Sequence, residues 1–261
     1  DIDKIQQIPM RDIQRVQGAA AGTQWMPVVG APGFPNHPFH PNPPEMSKSI
    51  PVMIGTARTE NSYTLGVDPA VDTLTDADLR KRLDRVQAGR GEEIFTHYKT
   101  RYPTKSNAEL LYMAGTDRGY FLDSTIQAAR RADQAGAAPT YMYTFNWETP
   151  VQGGHFFAPH AVEIPFVFDT LDKAPTMVGP VTPEKQRLAD QVSAVWANFA
   201  KTGVPTAPGI PAWPRYNSST RPTMVFNTAS KIENDPRGED RKLMLSDGSQ
   251  QMSRTGGPPG V

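Results

Sequence analysis

Residues 140–147 read TYMYTFNW, and this octapeptide decides the fold. It is aromatic, threonine-rich and alternating, as a strand requires. A proline and a helical pattern stand directly before it. That pattern runs over 120–135, with Phe121, Leu122, Ile126 and Ala129 on one side and Gly136 as a stop signal. Upstream, PVMIG (51–55) is a short apolar run opened by Pro and closed by Gly, which reads as a buried parallel strand. The polar loop TARTENS follows it, and helical patterns then cover 76–86 (Leu79, Leu83, Val86), 91–102 and 107–115. Downstream of the octapeptide, a long loop leads to a helix over 183–202 with Leu188, Val192, Val195, Trp196 and Phe199 as one stripe. PTMVFNT (222–228) is a last short strand. Strand, helices, strand, helix, strand is an α/β pattern with a mostly parallel sheet.

The margins read differently. Residues 1–18 form a short helix with Ile5, Ile8, Ile13 and Val16 as candidate buried positions. Residues 25–50 carry too many prolines for a helix or a central strand. From Ser246 to Val261 the composition is that of a flexible tail, which leaves 1–245 as the folded portion. Three legible strands are too few for a self-sufficient doubly wound sheet, so the reading expects missing upstream partners.

Composition removes several functions. Lys plus Arg and Asp plus Glu both number 27, giving a formal net charge of zero and no basic field for nucleic acid. There is no cysteine, which excludes disulfides, thiolate metal sites and a cysteine nucleophile but leaves both cytosolic and exported compartments open. No apolar run reaches the ~18 residues of a membrane span. Proline, at 26 of 261, is about twice the usual ~5% and signals long extended surface connections.

In open parallel sheets, functional groups gather at the carboxyl ends of strands. Glu60 follows PVMIG by five residues, and His160 lies in the loop after TYMYTFNW. Alone, each has a plainer reading. A loop histidine is more often a surface or structural residue, and most glutamates are simply solvated. Together they stand in the order acid then histidine, which is how the α/β-hydrolase triad ends.

The segment APHAVEIPFVFDTL (158–171) resembles the histidine motif of type B carboxylesterases, the para-nitrobenzyl-esterase and cholinesterase-like group. In that motif a catalytic His is followed three positions later by Glu and then by an apolar Pro-Phe/Tyr-x-Phe run. His160, Glu163, Pro165, Phe166 and Phe168 occupy those places. PVMIGTARTENSYTL is similar to the family's acid motif, with Thr59-Glu60-Asn61 where Asp-Glu-Gly is usual. WMPVVGAPGFPNHPF, YMYTFNW, QVSAVWANFAKTGVP and AWPRY follow in family order, so the resemblance spans roughly 20–230.

The resemblance implies the C-terminal portion of an α/β-hydrolase fold and a serine carboxylesterase acting on carboxylic esters without metal or organic cofactor. Glu60 and His160 are its triad acid and histidine. Glu163 is a carboxylate supporting the loop rather than the acid itself. No Gly-x-Ser-x-Gly occurs in the chain, so the resemblance puts the nucleophile and the glycine-rich oxyanion loop on an N-terminal segment. The expectation is that this polypeptide alone has no triad activity.

Trp147, Phe156 and Phe157 flank the histidine loop and are candidates to line an acyl or alcohol pocket, or to be core. Asp117, in GTDRGY, reads either as an acid supporting the site or as the N-cap of the 120–135 helix, and capping is the plainer reading. His155 and His160, five apart on a Pro-containing loop, do not make a zinc site, and His37 and His40 read as surface turn residues. Two other functions compete with the enzyme: a non-catalytic cholinesterase-like binding or adhesion module, and a purely structural α/β domain.

Overall fold

The computed structural model describes residues 2–19 and 29–245. The tail from 246 and the start of the Pro-rich stretch, 25–28, lie outside the described residues. The chain divides into two units, residues 1–37 and 38–261.

The first unit holds two helices, α1 (Ile2–Ile5) and α2 (Met10–Ala19). The isoleucine stripe read as core is not buried. Ile5, Ile8 and Val16 are exposed and Ile13 is half-buried. The described residues of this unit supply no second layer against which a stripe could close, and an amphipathic helix buries its face only against another element.

The second unit is built on a four-stranded sheet in the order β1-β2-β3-β4. Strands β1 (Val52–Ala57), β2 (Thr140–Phe145) and β3 (Pro222–Phe226) are parallel, and β4 (Lys231–Asn234) pairs antiparallel with β3. The three strands read from the sequence are present within two residues. The fourth, KIEN, is short, polar and at an edge, so it carries no apolar signal.

Between β1 and β2 come α3 (Ser62–Leu65), α4 (Asp76–Val86), α5 (Gly91–Arg101), α6 (Asn107–Thr116) and α7 (Leu122–Asp133). Between β2 and β3 lie α8 (Ile164–Val167), α9 (Pro175–Val178) and α10 (Pro183–Thr202), and α11 (Gly238–Leu245) ends the fold. The caps explain the boundaries. Thr75, Ser106 and Thr182 accept backbone N–H groups at the starts of α4, α6 and α10, and Gly203 closes α10 in the left-handed region with φ 74°.

Every residue of β2 is buried, because both faces of the sheet are covered. Tyr141, Tyr143 and Phe145 point into one core with Leu188, Val192 and Val195 of α10. Met142 points into the other, with Phe121 and Ala128. This alternation is the period of two that made the strand legible. A third cluster joins α4, α5 and α6 through Leu79, Leu83, Ile94, Tyr98 and Leu111.

Asp117 is not the N-cap of the helix that follows it; it stands at the C-terminal end of α6. A π-turn, Asp117–Phe121, runs straight from α6 into α7, and Asp117 is fully buried within it.

Candidate active site

Parallel pairing of β1 and β2 sends both following loops off the same edge of the sheet. Ala57 is paired with Phe145 at the ends of the two strands. Three residues beyond Ala57 the chain turns back, and its N–H donates to Glu60 Oε1 at 2.6 Å. The other carboxylate oxygen, Oε2, lies 2.7 Å from His160 Nδ1. The structure thus brings together two residues that are 100 positions apart.

The environments of the two partners differ. Glu60 is 7% exposed, whereas the His160 side chain is 62% exposed. A carboxylate at Nδ1 fixes the tautomer with its proton on that nitrogen and leaves Nε2, across the ring, free to accept one. The hydrogen bond to Glu60 raises the His160 pKa above its usual value and outweighs the opposing effect of burial.

Thr59 holds the two loops together. Its hydroxyl donates to the Phe156 carbonyl at 3.0 Å and accepts from the Ala158 N–H at 2.9 Å, while its own N–H donates to the Ala158 carbonyl at 2.9 Å. Sequence reasoning missed this residue. The signal available was a threonine immediately before the acid, and threonine is too common in loops for its position to stand out.

The histidine loop is anchored on both sides. After His160, Phe166 is fully buried, with its ring 5.2 Å from Phe145 and 4.9 Å from Trp147. Around His160 the backbone enters the left-handed region at two non-glycine residues, Phe157 (φ 55°) and Ala161 (φ 66°). Such positions cost on the order of 1–3 kcal/mol each and cluster at functional sites.

The aromatic candidates separate. Trp147 belongs to the core, packed on Phe166 with Lys185 Nζ 5.2 Å from its ring centre. Phe157 packs edge-on to Tyr112 in the helical cluster. Phe156 is half-buried and stands edge-on to Tyr63 at 4.9 Å. Tyr120, which the sequence did not single out, lies with its ring 6.0 Å from the His160 imidazole.

Glu163 is half-buried, and its Oε2 is a buried atom without a hydrogen-bond partner. Burial raises the pKa of this carboxyl, and the nearby Glu60 charge adds to the effect. His155 is a strut, with Nδ1 2.7 Å from Asp72 and Nε2 3.0 Å from the Gly66 carbonyl. Gly66 leaves room for it, since a Cβ there would stand 2.9 Å from that nitrogen. His37 and His40 are half-buried in the Pro-rich stretch. Among the described residues, no group of three or more His, Cys, Asp or Glu side chains is placed to hold a metal ion. No helix among them is long and apolar enough to cross a membrane.

Comparison with known proteins shows the family. A model of the carboxylesterase family matches residues 2–244. Para-nitrobenzyl esterase of Bacillus subtilis (strain 168) is 30% identical over 224 residues, which is 85% of this chain and 43% of that protein. Acylcarnitine hydrolase of Mus musculus is 29% identical over 212 residues, 72% of this chain and 35% of that protein. Among solved structures, a Geobacillus stearothermophilus carboxylesterase superposes with a TM-score of 0.74 at 30% identity, covering 94% of this chain and 50% of that one. A para-nitrobenzyl esterase structure superposes with a TM-score of 0.66 at 26% identity, covering 93% and 50%. The chain spans half or less of the length of each of these relatives.

Proposed function

Because the chain belongs to the carboxylesterase family, we propose that it supplies the acid and the histidine of a serine-esterase triad, Glu60 and His160, to a site completed by a serine on an N-terminal segment. The observation that carries this reading is the 2.7 Å contact between Glu60 Oε2 and His160 Nδ1, made where two parallel strands end and by an imidazole that is largely exposed.

In the proposed reaction, the serine hydroxyl attacks the carbonyl carbon of a carboxylic ester and its proton passes to His160 Nε2. The tetrahedral intermediate collapses, the C–O bond to the alcohol breaks, and His160 returns the proton to the departing oxygen. Water then repeats the sequence on the acyl-serine and releases the acid. Through both halves Glu60 keeps the Nδ1 proton in place and stabilises the imidazolium.

Two further observations support an incomplete site. The first four residues of β1 are half-buried, whereas every residue of β2 and β3 is buried, so β1 has an uncovered side in this sheet. The sequence also holds no Gly-x-Ser-x-Gly. The test is Glu60→Gln in the protein that joins this chain to the serine-bearing segment, assayed on a chromogenic acyl ester. The Gln oxygen would accept the Ala57 N–H, leaving its amide nitrogen facing Nδ1 and forcing the other tautomer. Loss of the acid by such a change costs on the order of 10⁴-fold in kcat. Activity within about tenfold of wild type would refute the assignment at ~1.4 kcal/mol per decade. So would ester turnover by the 261-residue chain alone that is abolished by replacing one of its own serines.

A further inference from the structure

The proposed chemistry uses Glu60 and His160 and leaves a buried ionic cluster beneath them unassigned. Its centre is Asp117, fully buried in the π-turn Asp117–Phe121. Arg58 Nη1 donates to both Asp117 oxygens at 3.2 and 3.3 Å, Arg237 Nη1 donates to Oδ1 at 2.6 Å, and the Tyr98 hydroxyl donates to Oδ2 at 2.7 Å. Arg58 sits inside the turn that presents Glu60, one residue after the N–H that holds its carboxylate. Arg237, just ahead of α11, lies with its guanidinium carbon 3.5 Å from the Phe121 ring centre and reaches the Thr144 hydroxyl of β2 at 2.9 Å. Three residues after Asp117, the Tyr120 ring stands beside the His160 imidazole, with centroids 6.0 Å apart and planes tilted by 39°.

One five-residue turn therefore touches both members of the pair by separate routes. A π-turn inserts an extra residue into a helix and is kept where function needs the altered phase. A charge network this deep is also a poor source of net stability, because desolvation offsets most of the attraction, and a specifying role is its better-attested use.

We propose that the π-turn positions the Glu60–His160 pair, Tyr120 by holding the plane of the His160 ring and Asp117 by fixing Arg58 in the turn that presents Glu60. Tyr120 and Asp117 are positioning residues here, not catalytic ones. The inference rests on the pairing proposed above, and the experiment separates the two.

The measurement is the pH titration of the His160 Cε1–H resonance in the 261-residue chain, assigned by its disappearance in His160→Gln. The titratable groups that bear on this ring are Glu60, Glu163 and Tyr120. In wild type the midpoint is expected above the ~6.5 of a free imidazole. The direction of change in Tyr120→Ala then decides. If Tyr120 only shields the ring from water, its removal relieves desolvation and the midpoint rises. If it positions the ring against Glu60, the midpoint falls toward ~6.5 as that hydrogen bond loosens. A fall is expected in Tyr120→Ala and in Asp117→Asn, and wild-type behaviour in Tyr120→Phe, which keeps the ring. Leu188→Ala, in the opposite core, should lower Tm and leave the midpoint unchanged. An unchanged or higher midpoint in Tyr120→Ala would overturn the proposal, as would an equal fall in Leu188→Ala. A wild-type midpoint at ~6.5 that is indifferent to Glu60→Gln would instead overturn the pairing itself.

Discussion

Replacing Thr59 with valine tests how the two site loops are held in place. Valine has nearly the same shape, so the change removes a hydroxyl and little else. That hydroxyl donates to the Phe156 carbonyl and accepts from the Ala158 N–H, and Thr59 is fully buried. Its loss strands one carbonyl and one amide, each at a cost of about 1–3 kcal/mol. The added methyl returns about 0.8 kcal/mol of apolar burial. The net destabilisation is therefore roughly 1–5 kcal/mol, or a Tm lower by about 2–20 °C for a domain of this size. The backbone bond from the Thr59 N–H to the Ala158 carbonyl survives, so the loops stay joined but lose two of three links. Equilibrium unfolding in urea measures the first effect, and hydrogen exchange at the Ala158 amide measures the second. Thr59→Ser, which keeps the hydroxyl, should recover most of the loss. A Val variant within ~0.5 kcal/mol of wild type, below the usual cost of one buried orphan, with its Ala158 amide still protected, would refute the reasoning.

Two further predictions concern the strand pair and the imidazole. Gly55 of β1 faces Tyr143 of β2, and a Cβ there would stand 2.4 Å from the tyrosine ring and 2.5 Å from its carbonyl oxygen. The obstacle includes backbone, so Gly55→Ala should destabilise by about 3 kcal/mol or more, at the upper end of overpacking costs, and a near-wild-type urea midpoint would contradict it. The raised pKa of His160 sets a pH window in which stability and activity move oppositely. The folded-state value lies above the unfolded ~6.5, so the stabilisation from protonated His160 is complete below ~6.5 and is lost as pH rises through the folded value. Catalysis requires the neutral ring, so kcat/KM of the completed enzyme should rise through that same value. An acid limb at or below pH ~6.5 would count against the pairing.

The sheet was legible because its strands follow the simplest physical rule. β2 and β3 are covered on both faces, so TYMYT and PTMVF have to be apolar or β-branched throughout, and a proline marks the start of each; Gly55, read as closing the first strand, lies inside β1. The long helices were legible for the same reason at a period of 3.6, as in Leu188, Val192 and Val195 of α10. What failed to show obeys no period. β4 and α11 are short and charged. The π-turn joins α6 to α7 without a break, and the single glycine inside it, Gly119, does not distinguish it from ordinary helix, so Asp117 took the reading of a cap when it is the centre of an ion cluster. The apolar stripe read over residues 1–18 is split between α1 and α2 and has no covering layer among the described residues of its unit, and a pattern states what a face could bury, not what is there to bury it. At the site, strand-end placement made Glu60 and His160 candidates, and it was the resemblance of 51–65 and 158–171 to family motifs that implied their roles. Thr59 and Tyr120 act through contacts across about 100 and 40 positions, which no local signal encodes.

The two carboxyl groups near His160 show why geometry, rather than proximity in sequence, bears on the proposed roles. Glu163 stands three residues from His160 and Glu60 a hundred away, so sequence distance alone would favour Glu163 as the acid. Their surroundings argue otherwise. Glu60 has a donor for each oxygen, the Ala57 N–H on one and His160 Nδ1 on the other. Such donors stabilise the carboxylate form and fix its orientation. Glu163 has a buried oxygen with no partner, and burial raises its pKa, which favours the neutral acid. Two like charges flanking one imidazole would repel, and the site distinguishes them by giving both Glu60 oxygens a donor and leaving Oε2 of Glu163 without one. Glu163 bears on His160 through its charge, whereas Glu60 also makes a hydrogen bond at a defined nitrogen. Among the described residues that bond comes from the Glu60 turn, which is itself tied to the histidine loop by Thr59 and to Asp117 by Arg58.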